Sequence, residues 1–194
     1  MKRLFPMLLL VVSVGIGAYD EYDVTKLKTT NQCPKCDLSQ ARLTGAYLRG
    51  AKLAGANLAE ANLTGANFYR VNLTNADLTG ANLYKAHLEV VNLAGANLTG
   101  ANLIDAYMED TNLQEASLAG VDLTKVYLEA TDLTGANLTM ANLTSALLEG
   151  TDFENADLTD AVLTDAKLNW VKNLNKAILC RTIMPNGSVN NSNC

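Results

Sequence analysis

The chain has 194 residues, 48% hydrophobic and 18% charged, which is enough for one ordinary domain and too apolar for a disordered one. Fifteen basic residues against 20 acidic ones give a net charge of −5, which argues against broad binding to nucleic acid or anionic lipid, since both need a basic surface. One His, four Cys and an aromatic fraction of 6% leave little for metal or acid–base chemistry and speak against a core of large interdigitating rings.

The chain opens with the positive triplet Met1-Lys2-Arg3 and an apolar run from Leu4 to Gly17, broken once at Pro6. Gly15 and Gly17 offer small residues before a cut after Gly17, and charge begins at Asp20-Glu21. This layout predicts a secretory signal peptide over 1–17, since the apolar run is short for a bilayer span. Cleavage would remove Lys2 and Arg3, leaving 13 basic against 20 acidic residues, a net charge of −7. Next, over 18–35, comes an N-terminal cap. Asp23-Val24-Thr25-Lys26-Leu27-Lys28, with Asp20 and Glu21 before it, predicts a short helix whose acidic start and basic end match the helix dipole.

From Cys36 onward one register dominates. Leu, Phe or Met stands at every fifth position from 38 to 168, which is 27 units in frame, and only Phe68, Met108 and Phe153 depart from Leu. Two residues before each centre stands Ala, or else Cys36, Val71, Val91, Thr111, Val121, Val126, Thr131 or Thr151. A helix would wind a five-residue stripe by about 140° per unit, and a flat strand would put successive Leu on opposite faces. The backbone must therefore turn a corner every five residues, with the centre and its −2 partner inward. Asn and Asp tolerate turn geometry, and Gly at 45, 65, 80 and 100 supplies positive φ. Two patterns recur every 20 residues: Val or Thr at 71, 91, 111, 131, 151 and 171, and Glu at 89, 109, 129 and 149. Four sides per coil keep both in line. About seven coils, spaced about 4.8 Å apart, make a rod roughly 30 Å long.

These units resemble the pentapeptide-repeat family, whose pattern is A(D/N)LXX, over residues 36–170. The resemblance implies an all-β solenoid: a right-handed quadrilateral β-helix with short helical or irregular caps at both ends. It also implies handedness, which periodicity alone does not fix. The terminal pieces resemble exported cyanobacterial members, which implies the thylakoid lumen or the periplasm. After Trp170 the register is lost, and 171–194 forms a C-terminal cap. Leu174, Ala177 and Ile178 have helical spacing and predict a covering helix, while 183–189 reads as a turn between two extended pieces.

The four Cys fall into an N-terminal and a C-terminal pair. A rod of that length keeps the pairs apart, which leaves Cys33–Cys36 and Cys180–Cys194 as the available bridges. The second is expected to brace the cap. Cys33-Pro34-Lys35-Cys36 also has the spacing of a redox pair or half a zinc site, though neither a second CxxC nor a nearby His accompanies it.

One side has character. Before its centres stand Tyr47, Asn67, His87, Tyr107, Tyr127, Leu147 and Lys167, and after them Arg49, Tyr69, Glu89, Glu109, Glu129, Glu149 and Asn169. Glu89, Glu109, Glu129 and Glu149 should stack, and a like-charge ladder opposes folding unless something neutralises it. Tyr107, Tyr127, Glu109, Glu129 and Glu149 are the candidate partner-binding residues. The four Glu are candidate Ca²⁺ ligands, since carboxylates suit hard cations. The alternative is a solvated face whose Glu simply repeat with the coil. His87 reads as another outward ladder member. No nucleophile–base pair, phosphate loop or metal cluster is evident, so a cofactor-free, non-enzymatic scaffold is expected, acting outside the cytoplasm on an unknown protein, as a monomer or weak homodimer. It is not expected to contact nucleic acid directly, nor a membrane after cleavage. The family resemblance also implies a rival role, an acidic DNA-mimic rod acting on a DNA-binding protein such as gyrase.

Overall fold

The computed structural model describes residues 20–194; the expected signal peptide lies outside the described residues. Helix α1 spans Glu21–Thr30. Asp20 caps it by accepting from the Tyr22 N–H at 2.9 Å, and Glu21 and Asp23 lie in its first turn with Lys28 in its last. Asn31, at φ 56°, ends it, and its N–H bonds the Leu27 carbonyl. Val24 and Leu27 are buried against the first coil.

The rest of the fold is a coil that meets itself every 20 residues. Single-residue parallel bridges link Tyr47 to Asn67, Asn67 to His87, His87 to Tyr107, Tyr107 to Tyr127, Tyr127 to Leu147 and Leu147 to Lys167. Equivalent ladders run through Lys52, Asn57 and Asn62, so successive bridges are five residues apart and each coil has four sides. One unit shows the hydrogen-bond accounting. The Leu103 N–H donates to the Asp122 carbonyl in the following coil at 3.0 Å, and the Tyr107 N–H donates back to Ala86 at 3.0 Å. The Ala106 N–H closes the turn onto the Leu103 carbonyl at 3.0 Å. Every donor in this segment has a partner, as buried backbone requires.

The roles of the repeat positions follow. Leu103 and Ala106 are fully buried, as are most of their counterparts along the rod, with Ala46 and Leu168, nearer its ends, partly buried. The outward Asn or Asp accepts from the N–H two residues on, as Asn102 Oδ1 does from Ile104 at 3.1 Å. The left-handed backbone falls three residues after it, at the corner, where Asp105 has φ 55°. Asn and Asp thus serve the turn in two ways, as side-chain acceptors at the outward position and, at Asn75, Asp105, Asp110, Asn155, Asp160 and Asp165, as left-handed corner residues. Val90 occupies such a corner at φ 59° with 41% of its surface exposed. A β-branched residue is disfavoured there. Val90→Gly is expected to stabilise the protein by about 1 kcal/mol, read as a melting temperature higher by about 2–4 °C.

On one side Thr takes the inward −2 position. Thr111, Thr131 and Thr151 are buried, and their hydroxyls donate to the Leu88, Met108 and Leu128 carbonyls at 2.6, 2.7 and 2.6 Å. Each hydroxyl is satisfied inside the rod, which is what permits a polar residue there.

The ladders extend beyond 36–170. Upstream, Gln32 bridges Lys52, and Cys33 occupies a centre position with Cys36 as the next −2 residue. Downstream, Asp152 pairs with Lys172 in register, but Asp157 pairs with Ile178 and Val162 with Ile183, each 21 residues on. One extra residue is absorbed around a single 3₁₀ turn, Leu174–Lys176. This corrects the covering helix expected from Leu174, Ala177 and Ile178. Ala177 and Leu179 take the inward positions and Ile178 faces out, because ladder pairing with the preceding coil outweighs local helical spacing. The chain ends in a hairpin of β1, Thr182–Ile183, and β2, Val189–Asn190, with Ile183 opposite Val189. Cys180 and Cys194 are bonded across it, Cα atoms 5.2 Å apart. Among the described residues no helix is long and apolar enough to cross a membrane.

Candidate functional site

The ladder through Tyr47 and Lys167 sets the geometry of the distinctive face. Because bridged residues sit directly above one another, their neighbours two positions on do as well, and Glu89, Glu109, Glu129 and Glu149 form one column. The adjacent column is aromatic. The His87 and Tyr107 rings stack at 5.0 Å with planes 5° apart, and Tyr107 stacks on Tyr127 at 4.8 Å and 15°. This spacing is that of the strands themselves, so the rings pack face to face only because the backbone holds them there. His87 Nδ1 lies 3.3 Å from Glu89 Oε1. Toward the N-terminal end the column changes sign: the guanidinium carbons of Arg49 and Arg70 lie 4.2 and 5.1 Å from the centre of the Tyr69 ring.

Glu109 and Glu129 each hold one carboxylate oxygen, Oε2, buried and without a hydrogen-bond partner. An unpartnered buried acceptor opposes folding by about 1–3 kcal/mol. Burial pushes the Glu109 carboxyl above the usual carboxylate range, and the charges of Glu129, Glu89 and Asp110 add to this against a hydrogen bond from its own backbone N–H. A carboxyl whose pKa is raised on folding binds its proton more tightly in the folded state. Stability therefore falls as pH rises through the ordinary carboxylate value up to the raised one, and is recovered on acidification. Glu109→Gln is expected to flatten that slope and to stabilise the isolated protein by about 1 kcal/mol at neutral pH, read from melts at pH 4 to 8.

The neighbouring acids behave differently. Burial pulls Asp132 upward, but hydrogen bonds from Thr134 and Gln114 and the charge of Lys172 outweigh it and hold the carboxyl below its ordinary value. Asp152 accepts from Asn173 Nδ2 at 2.8 Å, and Glu154 pairs with Lys176 at 2.7 Å. These acids are engaged within the chain, whereas Glu109 and Glu129 are not fully engaged. Of the sequence candidates, the structure brings Tyr107, Tyr127, Glu109, Glu129 and Glu149 together on one side and adds His87 to the stack. Tyr107 and Tyr127 are half-buried by stacking, while Tyr47, further along, is 73% exposed. The stack was legible in the spacing of 87, 107 and 127; the orphaned oxygens were not.

A family model described as pentapeptide repeats, in eight copies, matches residues 36–75, 72–110, 101–139, 110–150 and 136–172. The chain belongs to the pentapeptide-repeat family. Members fold as right-handed quadrilateral β-helices, and the four ladders above are that architecture. Among solved structures, a trypsin-treated form of QnrB1, a plasmid-mediated fluoroquinolone resistance protein, is 25% identical with a TM-score of 0.60, over 73% of this chain and 78% of that one. The pentapeptide-repeat protein Rfr23 from the cyanobacterium Cyanothece 51142 is also 25% identical, with a TM-score of 0.53, over 73% of this chain and 97% of that one. No curated protein matches the chain. Pentapeptide-repeat proteins are generally structural or interaction proteins.

Proposed function

We propose that this pentapeptide-repeat protein is a non-enzymatic interaction scaffold working outside the cytoplasm, and that it binds a protein partner on the face bearing Tyr107, Tyr127, Glu109, Glu129 and Glu149. One observation carries the reading: Glu109 and Glu129 each keep a buried oxygen unpaired within the chain, beside a column of stacked rings. A donor from a partner would satisfy those oxygens, and ordered Tyr rings offer contact area at little loss of side-chain freedom. The opposite side, centred on 58, 78, 98, 118 and 138, carries mostly Asn, Thr, Ala and Gly and no aromatic anchor. Residues 1–17 are a signal peptide in this reading, 18–35 and 171–194 are caps, and a rod of about seven coils lies between, by the strand spacing. Export to the thylakoid lumen or periplasm is supported by the apolar N-terminal run and by two disulfides, which persist in oxidising compartments.

The same oxygens favour a cation as a second ligand, with Ca²⁺ suited to carboxylates. The likeness to QnrB1 keeps an acidic rod that occupies a DNA-binding protein as a rival, against which the leader-like segment counts. The test is the triple change Glu109→Gln, Glu129→Gln, Glu149→Gln. The variant is expected to melt no lower than the parent and to lose capture of partners from a lumenal or periplasmic extract, or to lose any stabilisation by added Ca²⁺. Identical capture and an identical Ca²⁺ response would show that the Glu column is only a repeated surface.

A further inference from the structure

We propose that the Cys33–Cys36 bridge is a thiol–disulfide exchange site for a protein dithiol, and that helix α1 controls access to it. The bridge joins a centre position to the next −2 position, with Cα atoms 5.3 Å apart. Elsewhere those two positions carry mostly Leu and Ala, and the corner forms without a covalent link: Ala41 N–H reaches the Leu38 carbonyl at 3.1 Å, and Ala46 reaches Leu43 at 3.0 Å. The Cys corner has the same backbone bond, Cys36 N–H to the Cys33 carbonyl at 3.3 Å, and is paired to the next coil through Cys33 N–H to Lys52 and Asn57 N–H to Cys36. The bridge closes a separation of three residues where Cys180–Cys194 closes 14, so it removes less freedom from the unfolded chain. The corner does not need the bridge to form, and the bridge contributes less to stability than the C-terminal one.

Their surroundings suit exchange. Lys26 Nζ, on α1, lies 3.8 Å from Cys36 Sγ. An adjacent ammonium stabilises a thiolate, and a stabilised thiolate is the better leaving group. The Asp23 carboxylate, also on α1, lies within 4.8 Å of both sulfurs. Its Oδ2 also accepts from the Asp37 N–H at 2.8 Å, which fixes it. Both Cys residues are buried, Cys33 fully and Cys36 to 3% exposure, and α1 covers this end through buried Val24 and Leu27 and through the Asp23 carboxylate on the Asp37 N–H. Reductant must therefore enter as α1 shifts far enough to expose Cys33 Sγ while Lys26 stays beside Cys36 Sγ.

The step balances as follows. One thiolate of the dithiol attacks Cys33 Sγ, the Cys33–Cys36 bond breaks, and its electron pair leaves on Cys36 Sγ as a thiolate facing Lys26. The second thiol of the reductant, deprotonated, then attacks the reductant's own sulfur in the mixed disulfide and releases Cys33 as a thiolate. The dithiol leaves as a disulfide, oxidised by two electrons, and its two protons pass to solvent or to the released thiolates.

The experiment uses the full mature protein with both bridges formed, dithiothreitol as the probe, and timed alkylation followed by peptide mapping of each Cys pair. Cys33–Cys36 is expected to open while the rod remains folded. Leu27→Ala is expected to speed that opening several-fold without changing the rate at Cys180–Cys194. Lys26→Met is expected to slow it about tenfold, and Lys26→Arg to restore it, with circular dichroism unchanged in all three. The proposal is overturned if Cys33–Cys36 opens only as the rod unfolds, or if the rate is the same with Lys and Met at position 26.

Discussion

Leu103→Asp is expected to lower stability by more than about 4 kcal/mol, enough to unfold the central coils at ordinary temperature. Leu103 is fully buried, and the inward position it occupies is lined by Leu and Ala from the same coil and those beside it. An Asp there has no cation within the rod and no route to water. In an ordinary domain the chain could relax around it; here the Leu103 N–H is tied to Asp122 and the Ala106 N–H to Leu103 itself, so the side chain cannot turn outward without breaking the ladder. Thermal and urea melts followed by circular dichroism check this. Because each coil contacts chiefly its neighbours, the loss is expected to broaden or split the transition as well as lower it. A variant that melts like the parent would place Leu103 outside the core and shift the register by one residue.

The second large effect is at the C-terminal end. Removing the Cys180–Cys194 bridge, by Cys180→Ser with Cys194→Ser, is expected to lower stability by about 3 kcal/mol, the amount that chain-entropy arguments give for a loop of this length. The bridge fastens the last residues over the end of the rod. There the Leu179 N–H bonds the Ser192 carbonyl at 2.9 Å, and Asn193 Nδ2 bonds the Asn175 and Ala177 carbonyls at 2.9 and 2.8 Å. Arg181 pairs with Asp160 and holds that carboxyl below its ordinary value. Without the bridge the tail is free to leave, and the last ladder edge becomes available for pairing with other chains. Melting with and without reductant, together with light scattering, checks both consequences. An unchanged melt would assign the fastening to the hydrogen bonds alone.

Most of the architecture is legible in the sequence because the centre position in each unit is chosen by one demand, filling a narrow interior, and Leu meets it almost everywhere. The frame was missed where another residue meets the same demand. Cys33 sits at a centre, but Asn31 and Pro34 hide the unit it belongs to. Residues 173–177 hold one residue too many, and spacing alone favours a helix there, while the actual fold keeps Ala177 and Leu179 inward by lengthening a corner. On the candidate face, a 20-residue repeat was sufficient to stack His87, Tyr107 and Tyr127. The same repeat is blind to side-chain rotamers, so it could not show that Glu109 and Glu129 hold oxygens away from every donor. Nor could it show Lys26 over Cys36, since that contact depends on how α1 docks on the rod.

The constant offset of 20 between bridged residues also governs how such a gene can change length. Cutting out any stretch of 20 residues from the middle brings residues into contact that already occupy equivalent places, so the shortened chain closes over the cut with every partner replaced in kind. Losing or gaining one residue instead moves each later Leu off its site, and among the described residues the one such offset, a single residue gained between Lys172 and Ile178, has no full coil after it to inherit the error. Length in this molecule is therefore a quantity that can be inherited in whole steps, and a binding face built on one side grows or shrinks by one Glu and one ring position at a time.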